Sequence, residues 1–135
     1  MKSFVLVICI VVLATLAHGL TEEARERVKT AHKECQANPA THADEEELKK
    51  SYKGEDISGL GPHFLCMSKK IGFQKSNGDV DRTVLRQRLS EIITDETKLD
   101  EIVEKCAVQK GTPEDTSEHV LKCFHDHAGH VLHDH

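Results

Sequence analysis

Apolar residues recur along this chain at three- and four-residue intervals in six separate stretches, and that spacing predicts six amphipathic helices. Ala24, Val28, Ala31 and Cys35 share one face of the first. It opens at Thr21-Glu22-Glu23, a capping hydroxyl with an acidic first turn, and ends at Asn38-Pro39. Asp44 to Tyr52 reads as a short charged helix capped by Asp44, with Leu48 and Tyr52 as its only large apolar residues. Gly59 to Pro62 reads as a break. Phe64 to Ile71 is more uniformly apolar, which predicts a helix buried on most sides, and Lys69-Lys70 before Gly72 marks its end. Asp81 to Ile93 places Leu85, Leu89, Ile92 and Ile93 together. Leu99, Ile102, Val103, Cys106 and Ala107 form the cleanest stripe, in a helix expected to close at Gly111. Thr112-Pro113 opens the last helix, with Val120, Cys123, Phe124, Ala128 and Val131 on one side. The Asn77-Gly78 pair fits a hairpin turn, but its flanks do not alternate, so the segment reads as a loop between helices. No stretch has the two-residue period of a strand. The expected class is therefore all-α, a compact six-helix domain.

Residues 1–19 stand apart from this pattern. Lys2 precedes an almost unbroken apolar run, Phe4 to Leu16, and Ala17 and Gly19 supply the small residues of a cleavage site. The run is shorter than the roughly 20 residues of a spanning helix. We read residues 1–19 as a signal peptide, cleaved before Leu20, and residues 20–135 as one secreted, extracellular domain that does not insert into membranes. The net charge of −5 over 135 residues, with both signs dispersed, lacks the clustered Lys and Arg that phosphate contacts need, so nucleic acid is an unfitting partner. Ten histidines are present, and mild acid would reverse the sign of the charge.

Cys9 leaves with the leader, so an even set remains: Cys35, Cys66, Cys106 and Cys123. Each sits on a predicted helix. Export to an oxidising compartment favours two disulfides, for which spacing alone leaves all three connectivities open.

These four cysteines, their helices, and the string Lys105-Cys106-Ala107-Val108, Thr112-Pro113 and Lys122-Cys123-Phe124-His125-Asp126 resemble the insect odorant-binding proteins, a family that covers pheromone-binding and general odorant-binding proteins. Full members carry six cysteines. This chain looks like the four-cysteine, minus-C branch, which includes haemolymph and accessory-gland carriers of beetles. The two positions at which the family's further cysteines would stand hold Pro62 and Glu114 here, and both would be partners in one bridge. The resemblance implies Cys35–Cys66 and Cys106–Cys123, a central apolar cavity, and a carrier that reversibly binds odorant, pheromone or lipid-like molecules.

The residues read alone agree with a small hydrophobic ligand as partner. The helices are rich in aliphatic side chains and poor in aromatic ones, which suits the wall of an apolar pocket. Candidate cavity residues are Val28, Phe64, Met67, Ile71, Leu85, Leu89, Ile92, Val103, Val120 and Phe124, although core positions show the same stripe. The alternative is a secreted metal- or partner-binding protein acting through the His-rich tail, residues 126–135. There His127, His130 and His133 repeat every third residue and are weak candidate metal ligands. That tail could also cover the pocket and sense pH. No cofactor is expected, and no enzyme: there is no Gly-x-Ser-x-Gly elbow, and Asn77 to Asp81 fails as a calcium loop because Val84 falls where the bidentate Glu belongs.

Overall fold

A computed structural model of the protein describes residues 21–133, the last six of them through their backbone only. The leader read in residues 1–19, and the side chains of His130 and His133, lie outside the described residues. Six helices follow one another: α1 Glu22–Ala37, α2 Glu45–Tyr52, α3 Gly61–Ile71, α4 Arg82–Ser90, α5 Glu96–Cys106 and α6 Pro113–His133.

Short polar side chains start most of them by satisfying first-turn amides that have no partner inside the helix. The Thr21 hydroxyl accepts from the Ala24 amide at 3.1 Å. Asp44 accepts from Glu46 and Glu47, Asp81 from Val84, and Asp95 from Thr97 and Lys98. α3 begins otherwise, without a side-chain cap and with proline in its first turn. Proline costs nothing there, since its missing N–H would be unpaired anyway. Pro62 thus belongs to the helix rather than to the break expected at Gly59 to Pro62. α5 also ends sooner than expected. The chain leaves the helix after Cys106, and the Lys110 amide donates to the buried Thr116 hydroxyl on α6, so Gly111 lies in the connection.

α3 packs against α6 and α1, and α5 against α4 and α6. Cys35 is bonded to Cys66, joining α1 to α3, and Cys106 to Cys123, joining α5 to α6. Between α3 and α4, residues 74–80 form a tight loop closed by one antiparallel bridge, Gln74 to Val80. It is more hairpin-like than the sequence implied. Buried Gln74 donates from Nε2 to the carbonyls of Gly78 and Pro113, at 2.8 and 3.0 Å, and so pins the loop to the start of α6. Gly61 lies against Glu114 so closely that a Cβ there would fall 2.8 Å from a Glu114 carboxylate oxygen and 3.1 Å from its Cβ. The region where the resemblance places a lost bridge is therefore a close approach of α3 to α6.

Candidate ligand-binding site

On α1, Ala24, Ala31 and Cys35 are buried while Val28, on the same stripe, is 39% exposed. It is the one large hydrophobic residue so exposed among the described residues. An apolar side chain on the inner face of a helix meets water only where the facing elements stand back. Here they do. A concavity of about 490 Å3 opens between α1, α3, α4 and α6.

Its buried walls are Ala24 from α1, Met67 and Ile71 from α3, Phe73 just beyond it, Leu89 from α4 and Leu121 from α6. Val28, Ile92, Tyr52 and Phe124, all partly exposed, complete the apolar lining. Phe73 and Phe124 meet edge to face at 6.2 Å, and the Tyr52 ring lies 5.3 Å from that of His125. The polar members are Arg27, Lys29, His32, Arg88, Glu91 and His125. Other hollows are bordered mainly by charged side chains, such as the one beside Glu23, Glu26, Glu34 and Lys70.

Of the ten residues singled out in the sequence, Val28, Met67, Ile71, Leu89, Ile92 and Phe124 lie on this concavity. The other four lie elsewhere. Phe64, Leu85 and Val120 are fully enclosed in the core, and Val103 borders a polar groove between α4 and α5. Helical period identifies an inward face but does not separate a filled interface from a hollow one. Phe73 and Leu121 were missed for different reasons. Phe73 follows the left-handed Gly72 cap and belongs to no periodic stripe. Leu121 shares a face with Phe124 and His125, at i, i+3 and i+4, a second stripe hidden beside that of Val120.

Glu91 ties the rim together. Its Oε2 lies 3.3 Å from an Arg27 Nη and its Oε1 3.6 Å from an Arg88 Nη. Arg88 Nε also donates to the Ile71 carbonyl. Burial holds the Tyr52 phenol above its ordinary pKa, so it stays a neutral hydrogen-bonding group at the rim.

Metal ligation has one geometric candidate among the described residues. Cys106, Cys123 and His127 offer donor atoms within 4.8 Å of one another. Both sulfurs, however, are already joined in a disulfide, and a metal ligand needs the thiolate. Among the described residues no helix is long and apolar enough to cross a membrane.

The sequence pattern of the PBP/GOBP family matches residues 17–127. Two proteins of the beetle Tenebrio molitor are similar along most of their length. The B2 protein is 32% identical over 114 residues, 83% of this chain and 88% of that one. The B1 protein is 30% identical over 114 residues, 83% of this chain and 86% of that one. The fold is similar to that of a fatty acid binding protein, OBP56a, from the oral disk of the blowfly Phormia regina. That similarity has a TM-score of 0.58 and 26% identity over 82% of this chain and 96% of the other. The odorant-binding protein OBP28a of Drosophila melanogaster shares the fold at a TM-score of 0.59, with 23% identity over 81% and 95% of the two chains.

Proposed function

The chain belongs to the PBP/GOBP family, the insect pheromone-binding and general odorant-binding proteins, and on that premise we propose that it is an exported carrier that holds small hydrophobic molecules reversibly in the concavity between α1, α3, α4 and α6. The observation that carries this reading is the concavity itself. Its volume of about 490 Å3 falls in the range of roughly 300–1,000 Å3 typical of small-molecule sites, and its walls are mainly aliphatic and aromatic. With little directional chemistry inside, affinity grows with the apolar area taken from water, roughly 25 cal/mol per Å2. Two disulfides suit an oxidising, extracellular setting. The blowfly neighbour's description as a fatty acid binding protein favours elongated aliphatic guests.

The test is displacement of the fluorescent apolar probe N-phenylnaphthylamine by aliphatic alcohols and aldehydes of graded length. Saturable probe binding and competition that strengthens with chain length are expected. Val28→Trp, at the exposed lining position, should weaken the probe several-fold with little change in melting temperature. Val103→Ala, away from the concavity, should cost stability by about 1 kcal/mol and leave probe affinity unchanged. Failure of the probe to bind saturably would sink the reading.

A further inference from the structure

The rim of the concavity carries more charge than a purely apolar guest requires. Arg27 and Lys29 from α1 and Arg88 from α4 line it together with the carboxylate of Glu91, while Glu45 is held at the side by His32 and Arg27 also borders the hollow of Glu23, Glu26 and Glu34. The two arginines are held in place rather than waving in solvent. Arg27, Glu91 and Arg88 have side chains 25%, 28% and 30% exposed, and Arg88 is anchored through Nε to the Ile71 carbonyl. Each guanidinium has five N–H donors in a planar fork. Glu91 meets one nitrogen of each, at 3.3 and 3.6 Å, and the Ile71 carbonyl takes Arg88 Nε, which leaves most of those donors to other acceptors. Glu91 also demonstrates the chemistry: the pair accommodates a carboxylate beside the apolar wall formed by Ile71 and Leu89.

We propose that this concavity selects amphipathic anions, with a guest's carboxylate head received by Arg27 and Arg88 at the rim while its hydrocarbon chain lies along Met67, Leu121 and Phe124. The proposal rests on the carrier reading above and names the class of guest. A planar carboxylate matches the arginine forks in a way that a hydroxyl or ester oxygen does not. Glu91 then acts as an internal competitor that keeps the two guanidiniums oriented when no guest is present.

Lauric acid, lauryl alcohol and methyl laurate, which share a hydrocarbon chain and differ in the head, separate the possibilities when titrated at neutral pH against the bound naphthylamine probe. Laurate should bind about tenfold or more tighter than the alcohol or the ester. Arg27→Gln with Arg88→Gln, shown folded by circular dichroism, should bring the acid-to-alcohol ratio near unity. Glu91→Gln should raise that ratio, because the competing carboxylate is gone; this variant keeps both arginines and tests the idea even if the double variant is unstable. Equal affinities for acid and alcohol in the unaltered protein, or a ratio that survives loss of both arginines or is indifferent to Glu91→Gln, overturns the proposal while leaving the carrier reading intact. If neither the probe nor any laurate compound binds, both fall together.

Discussion

At the scale of single residues, His63 is a titratable side chain enclosed in the core. It is 1% exposed, and its Nδ1 lies 3.1 Å from the Thr41 carbonyl, which can only accept, so Nδ1 carries the proton. Nε2 is buried with no hydrogen-bond partner among the described residues, and the His32 ring stands edge-on at 5.5 Å. Burial first, and the neighbouring His32 charge after it, hold the His63 pKa below its ordinary value, against the opposing pull of the Thr41 carbonyl. The folded chain therefore keeps this ring neutral where the unfolded chain takes up a proton. Stability from this residue is fully present above about pH 6.5 and falls as the pH drops from there towards the folded-state pKa. In urea titrations, the midpoint of the unaltered protein should decline between about pH 7 and about pH 5. His63→Asn, which can still donate to Thr41 without titrating, should show a shallower decline. Parallel declines in the two proteins would remove His63 as the cause.

At the scale of elements, the loop of residues 74–80 shows how one glycine sets the spacing of two helices. Gly78 has φ +94°, and a Cβ there would lie 2.7 Å from Pro113. Gly78→Ala should therefore cost about 2 kcal/mol or more, from left-handed strain together with the push against α6, read as a drop in melting temperature. A change of less than about 1 °C would mean that the loop yields. This loop was half legible: Asn77-Gly78 announced a turn, but the Gln74 hydrogen bond to Pro113 joins positions far apart in sequence, which no local pattern displays. Helix starts were legible where a short polar side chain caps its own first turn, as Thr21, Asp44 and Asp81 do. The end of α5 was not: the helix stops at Cys106, well before Gly111, and the connection that follows is held by the Lys110 amide on the Thr116 hydroxyl. In the site, Met67 and Phe64 look alike on paper, and only the arrangement of neighbouring helices leaves one beside a hollow and the other enclosed.

At the scale of the whole molecule, the two disulfides do different things. Cys35–Cys66 holds α1, which bears Ala24, Arg27 and Val28, against α3, so it braces a wall of the concavity. Cys106–Cys123 ties α6 to α5, and α5 contributes no lining residue. Their loops, 31 and 17 residues in sequence separation, correspond to about 4 and about 3 kcal/mol of stabilisation. Replacing Cys35 and Cys66 by serine should weaken probe binding several-fold at temperatures where the variant is still folded. The same change at Cys106 and Cys123 should lower the urea midpoint yet leave affinity close to that of the unaltered protein. Equal losses of affinity would show that the concavity depends on global stability alone. Neither sulfur bridge spans α3 and α6, whose side chains Met67, Ile71, Leu121 and Phe124 form opposing panels of the hollow. Where Gly61 meets Glu114, those panels are in contact but not riveted. With packing and no covalent tie between them, the container should grow more tolerant of wide guests as it warms, long before it comes apart.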